Sequence, residues 1–213
     1  MKFKTTPYHF DLLKDEERLS AFYEAIKKLS TSQELAYDLG CGSGILSFFL
    51  NSYFKEIIAI EQDFKASRCA KENLKSFKNI EVVNEDVLKY DFSKKCDLIV
   101  CEMLDTALID EEEVPVLNHA RNYLKENGKI IPQGIINTIE LAHLERDYIH
   151  YDEDVNCKTL SKPVIYDEIN FLNDINPDFE KVIKEKEFWN SLKNVKQVIR
   201  FMILKNLTVC CVL

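Results

Sequence analysis

The segment Asp38-Leu-Gly-Cys-Gly-Ser-Gly44 sits between two apolar runs and is the first place in this 213-residue chain where chemistry can be read. Glycines at 40, 42 and 44 let a backbone turn tightly and let a ligand approach without striking a Cβ. Such a loop carries meaning when it follows a strand and opens a helix, and the flanking patterns predict that setting. A pyrophosphate fingerprint would need its third glycine at position 45, where this chain has Ile45. The bend therefore predicts a ligand without a pyrophosphate. Asp38 closes the strand before the bend and offers a carboxylate to the amino end of a ligand, directly or through water. Glu61 ends the next strand, where one carboxylate can accept hydrogen bonds from two vicinal ribose hydroxyls. Asp86, in Asn84-Glu-Asp-Val87, ends the third and could accept from an adenine amino group. Three acids at successive strand ends point to a nucleoside.

Over residues 35 to 131 these features resemble the class I S-adenosylmethionine-dependent methyltransferases. The resemblance implies S-adenosyl-L-methionine as cofactor. It implies a cofactor shell of Arg18, Asp38, Gly40, Cys41, Gly42, Gly44, Glu61, Gln62, Glu85, Asp86, Val87 and Glu102.

A narrower resemblance follows from the fourth strand end, Val100-Cys-Glu102-Met-Leu-Asp-Thr-Ala-Leu-Ile-Asp-Glu111. It is similar to the two-glutamate loop of the protein arginine methyltransferases, of the form S-E-x-M-G-x-x-L-x-x-E, which precedes a helix ending L-x-A-R. Glu102 and Glu111 fall on the two glutamates, and Ala120 and Arg121 match the end of the helix, with Leu117 one place before the family's leucine. Two carboxylates can grip the five-donor fork of a guanidinium on two edges and aim one nitrogen. Glu102 and Glu111 are thus the candidate catalytic residues. For Glu111 a second reading stands, because Asp110-Glu-Glu-Glu113 could be the acidic first turn of the next helix. Upstream, His9-Phe-Asp-Leu-Leu13-Lys-Asp-Glu-Glu-Arg18 resembles the family segment H-x-x-M-L-x-D-x-x-R. That match implies that Arg18 clamps the cofactor carboxylate, with Tyr8 or Phe10 nearby. The alternative makes Asp15 to Arg18 a solvated first helical turn.

The chain departs from the family at Met103-Leu-Asp105, where x-M-G is usual, and Trp189 has no preceding histidine of a T-H-W loop. Lysine, RNA or a small molecule remain alternative methyl acceptors. So does a non-catalytic binding module on the same fold. An NAD-linked oxidoreductase is a further option, and Ile45 counts against it. The isolated histidines at 119, 143 and 150 read as structural.

Elements that must position these groups follow from periodicity. Apolar residues at helical spacing predict a helix over 14–29, strands at 34–38, 56–61, 80–84, 96–101 and 129–131, and helices at 45–54, 64–77 and 114–124. Strands alternating with helices indicate a Rossmann-like α/β parallel sheet covered on both faces, with ligands beyond the carboxyl ends of its strands. After Pro132 the character changes. Residues 135–144 and 197–213 are rich in aliphatic and β-branched types, and one helix is expected around 179–192. The expected organisation is a methyltransferase domain over 1–132 and a small β-rich or mixed C-terminal subdomain over 133–213, possible home of substrate contacts.

With 28 basic against 36 acidic residues, the net charge of −8 disfavours an extended nucleic-acid footprint and suits a cationic protein substrate. Seven cysteines form neither a C-x-x-C pair nor a zinc spacing, so no metal is expected and reduced thiols in a cytoplasmic protein are predicted. No apolar run reaches the ~18 to 20 residues of a membrane span, so no membrane partner is expected. Oligomeric state is open at this level.

Overall fold

The structure, a computed structural model, describes residues 3–104, 108, 111–144, 157–176 and 201–207. Strands Gln33–Leu39 (β1), Phe54–Ile60 (β2), Ile80–Val83 (β3), Cys96–Cys101 (β4) and Leu124–Ile131 (β5) form one parallel sheet in the order β3-β2-β1-β4-β5. The runs in β1, β2 and β4 are nearly continuous in apolar residues because both faces of the sheet are covered. Alternation sorts them. Leu35, Tyr37, Leu39, Ile58, Ile60 and Ile99 face one core, while Ala36, Ile57, Leu98 and Val100 face the other. Burying each large aliphatic side chain contributes about 1.5–3 kcal/mol.

On the second face lie helices Glu16–Lys27 (α2) and Ile45–Leu50 (α3), through Phe22, Ala25, Ile26, Leu46 and Leu50. Helix Phe64–Leu74 (α4) packs Ala70 and Leu74 on Ala59. The first face is covered by helix Glu113–Ala120 (α5), through Val116, Leu117 and Ala120. An α/β sheet with helices on both faces is thus the observed architecture, accompanied by a small antiparallel sheet. In that second sheet Gly134–Leu144 (β6) pairs with Cys157–Thr159 (β7), Val164–Asn170 (β8) and Phe201–Leu207 (β9).

The turn after β8 ties the two sheets together. Phe171 and Ile175 are buried in the first core, and Asn118 of α5 both donates to the Ile175 carbonyl at 2.9 Å and accepts its N–H at 3.0 Å. Arg121, which ends the L-x-A-R match, pairs with Asp174.

Several boundaries differ from those predicted. The helix expected over 14–29 is α2, trimmed to Glu16–Lys27, and a further helix that was not expected, Pro7–Lys14 (α1), precedes it; Asp15 separates the two because it leaves helical geometry at ψ 87° and its side chain caps α2 by accepting the Arg18 N–H at 2.9 Å. Helix α3 stops at Leu50, not Phe54, because Phe54 opens β2 in register with Gln33. A 3-10 turn at Arg121–Tyr123 ends α5 early, and β5 starts at Leu124, five residues before the predicted Lys129. The expected helix at 179–192 lies outside the described residues. Among the described residues no helix is long and apolar enough to cross a membrane.

Candidate active site

A cavity of about 670 Å³ opens beyond the carboxyl ends of β1 and β4, the point where strand order reverses. Its floor is the glycine bend. Gly40 and Cys41 donate their N–H groups to the Ile60 carbonyl at 2.9 and 3.0 Å, which folds the bend back over β2. Gly40 and Gly42 take φ of +68° and +53°, a region other residues enter only with strain. A Cβ on either would stand 2.8 Å from Met103 Sδ or His9 Cδ2. Both positions therefore need glycine for conformation and for space. Cys41 lines the cavity; Gly44 does not, and instead caps α3 with its Cα against Leu74.

Glu61 is 7% exposed and is held by two backbone donors: Oε2 accepts the Gly42 N–H at 2.9 Å and Oε1 the Asp63 N–H at 2.7 Å. Each oxygen keeps a lone pair, so a diol can still be accepted. Asp86 lines the same cavity, its Oδ1 accepting the Leu88 N–H at 2.9 Å and its Oδ2 pairing with Lys89 at 2.9 Å. The Lys89 ammonium holds the Asp86 carboxyl below its ordinary range. Val87 and Gln62 also line the cavity. Glu85, expected beside them, is exposed and outside the lining, because only one of two adjacent acids in the turn after β3 can face inward.

Asp38 is buried at the end of β1 and accepts from the Ser47 hydroxyl at 2.5 Å. Burial pushes its carboxyl from 3.8 up to about 6, with the Ser47 hydrogen bond opposing the rise. Between those values the folded chain holds a proton that the unfolded chain has lost, so this group makes the fold less stable as pH rises from about 4 to about 6. The full effect is on the order of 3 kcal/mol. Replacing Asp38 with asparagine is expected to flatten the pH dependence of the urea midpoint across that interval. Equal slopes in the two proteins would show that Asp38 ionises normally.

A second set of charges faces the bend. Glu102 leaves the end of β4 and pairs with Arg18 of α2, the two side chains being 17% and 20% exposed. Arg18 also donates to the Leu12 carbonyl at 3.3 Å, which turns the guanidinium inward from the first turn of α2. Its Nε is buried without a partner among the described residues. Glu111 lines the cavity and accepts from the Tyr8 hydroxyl of α1 at 3.4 Å. Phe10 lies outside the lining, half exposed with the Lys14 ammonium 4.0 Å from its ring centre. The structure thus brings Arg18, Glu102 and Glu111 into the cavity that holds Asp38, Glu61 and Asp86.

Sequence reasoning gave no role to His9, Met103 or Glu113. His9 lines the cavity, contacts the Thr6 hydroxyl through Nδ1 at 2.7 Å, and has its basicity lowered chiefly by burial. Its place against Gly42 is a tertiary contact, and its one sequence signal is that it opens the H-x-x-M-L-x-D-x-x-R match. The start of α1 is moored from behind by Asn73 of α4, whose side chain accepts the Lys4 N–H and donates to the Lys4 carbonyl, both at 2.7 Å, and donates to the Ser43 carbonyl of the glycine bend at 2.9 Å.

A doubly wound parallel sheet with an acidic crevice over a glycine bend defines the class as an α/β nucleoside-dependent transferase. Residues 36–128 match the methyltransferase domain family. An uncharacterised protein of Methanothermobacter thermautotrophicus is 48% identical over 184 residues, covering 86% of this chain and 73% of the relative. Protein arginine N-methyltransferase 2 of Xenopus laevis is 29% identical over 61% of this chain and 32% of its own length. The Trypanosoma brucei PRMT1 enzyme–prozyme complex with AdoHcy shares the fold at a TM-score of 0.70 and 17% identity, over 78% of this chain and 62% of that one. Residues 36–128 carry the domain of the class I S-adenosylmethionine-dependent methyltransferases, with S-adenosylmethionine as cofactor, and the chain resembles the arginine methyltransferases. The residues present fit that cofactor, since a Cβ at Gly40 or Gly42 would fill the cradle and Glu61 has free lone pairs on both oxygens.

Proposed function

We propose that the chain transfers the methyl group to a nitrogen of a protein arginine side chain. The observation that carries this reading is that Glu102 and Glu111 line one cavity with the glycine bend, each held by its own donor, Arg18 or Tyr8. Asp63 and Glu112 add carboxylates to the same lining, and an acidic mouth attracts a cationic side chain. The sulfonium of the bound cofactor supplies the methyl group and the leaving group. Glu61 takes the ribose hydroxyls, Asp86 and Val87 the adenine, and Asp38 and Arg18 the charged ends of the amino-acid moiety. Glu102 and Glu111 grip the guanidinium on two edges, orient one nitrogen toward the bend, stabilise the positive charge there, and one of the two carboxylates accepts the N–H proton that the methylated nitrogen sheds before passing it to water. Helix α1 lines one side of the cavity through Tyr8, His9, Leu12 and Leu13.

The test is transfer of labelled methyl from S-adenosylmethionine to an arginine-rich peptide and to its lysine-substituted counterpart, followed by acid hydrolysis. Methylarginine from the first peptide alone is the expected product. Label on lysine, or in nucleic acid when RNA is supplied, would move the acceptor away from arginine.

A further inference from the structure

Glu113 is 0% exposed, stands at the first residue of α5, and takes no part in the chemistry above. A buried carboxyl persists only where partners compensate it. One partner is backbone: Glu113 Oε2 accepts the Met103 N–H at 2.9 Å. Another is the Cys101 thiol at the last position of β4, which burial, and next the neighbouring Glu113 carboxyl, push well above the ordinary thiol range. Met103 directly follows Glu102, and Glu113 lies two residues beyond Glu111. A single side chain therefore joins both feet of the segment that carries the two carboxylates.

We propose that Glu113 is a positioning residue, whose bond to the Met103 backbone sets the separation of Glu102 and Glu111 and so the seat of the acceptor nitrogen. This rests on the reading of those two glutamates as the grip on the acceptor. Geometry of this kind is sensitive, since a displacement of about 1 Å can cost about 100-fold in rate. The other acids of the run, Glu111 and Glu112, line the cavity, whereas Glu113 is turned into the protein beneath it.

The experiment compares the full chain with Glu113→Gln and Glu113→Met. Three quantities are read: kcat on an arginine-rich peptide at saturating cofactor, the Kd of S-adenosylhomocysteine, and hydrogen exchange at the Met103 amide. Glutamine keeps an acceptor oxygen and is expected to hold kcat within about threefold. Methionine has similar length and no comparable acceptor; kcat should fall about 10- to 100-fold with Kd within about threefold, and Met103 should exchange at least about tenfold faster. A merely structural role would lower thermal stability without separating the two variants in kcat. Equal kcat in wild type and Glu113→Met, or equal losses in both variants, would overturn the proposal. Should Glu113→Met fail to fold, Glu113→Asp withdraws the carboxyl by one carbon, and unchanged kcat with unchanged Met103 exchange overturns it as well. A Met103 amide that exchanges in the wild type as fast as an open-chain amide does so without any variant. If the wild type makes no methylarginine, the guanidinium reading fails by itself, and Met103 exchange still decides on the staple.

Discussion

Glu102→Gln is expected to lower kcat by about two to three orders of magnitude while leaving the Kd of S-adenosylhomocysteine within about threefold. The substitution preserves shape and leaves an oxygen that can still accept from Arg18, so the pairing that seats the side chain against α2 survives as a neutral hydrogen bond. What disappears is the negative charge facing the acceptor. In a crevice where Glu102 is only 17% exposed, that charge acts through a low dielectric and is worth far more than in water. A loss of about 2.7–4 kcal/mol of transition-state stabilisation corresponds to the expected fall. Leaving Arg18 opposite a neutral amide costs fold stability as well, by about 1–3 kcal/mol. Single-turnover rates with labelled cofactor, set beside calorimetric affinity, separate the two effects. Turnover within threefold of wild type would remove Glu102 from the catalytic assignment.

The second large effect belongs to Glu61→Ala, for which the affinity for S-adenosylhomocysteine should drop by about 10²- to 10³-fold, about 3–4 kcal/mol. Two contributions add. The ligand diol loses a charged acceptor, and hydrogen bonds to charged groups are worth about 1.5–3 kcal/mol each. The Gly42 and Asp63 N–H groups also lose their acceptor, so the glycine bend is no longer held in its bound geometry before the ligand arrives. Glu61→Gln separates these contributions, because its amide oxygen can serve only one of the two backbone donors. Its affinity should fall between those of wild type and the alanine variant. A change below tenfold in Glu61→Ala, measured by calorimetry, would mean that the diol binds elsewhere.

Much of this arrangement was legible in the residues. Buried parallel strands show as short aliphatic runs, and the glycine bend marks its own strand end, so Asp38, Glu61 and Asp86 could be placed before any coordinates. Other features depend on contacts that local sequence does not encode. Helix α1 has no buried side chain to reveal it by apolar spacing, and Asp15, whose side chain caps α2 by accepting the Arg18 N–H, separates it from the helix that the spacing predicted. Residues 45–54 are apolar except for Ser47, Asn51 and Ser52, and the polar pair Asn51-Ser52 marks the break between α3 and β2 that the apolar pattern alone runs across. The run Glu111-Glu-Glu113 looks like a solvated helical turn, and only folding shows that its third member is enclosed beneath the other two. Glu85 and Asp86 are equivalent as sequence and differ only in which one the turn aims inward.

Helix α1 contributes no buried side chain of its own, yet it roofs the crevice. Its attachment includes the Asn73 clamp on Lys4, the Tyr8 to Glu111 contact, the Arg18 donation to the Leu12 carbonyl, the edge contact of Phe3 with Phe48, and the seat of His9 beside Gly42. With no buried side chain on α1, the amides of the leading segment are expected to exchange with solvent sooner than those of β1 and β4, which hydrogen exchange would read directly.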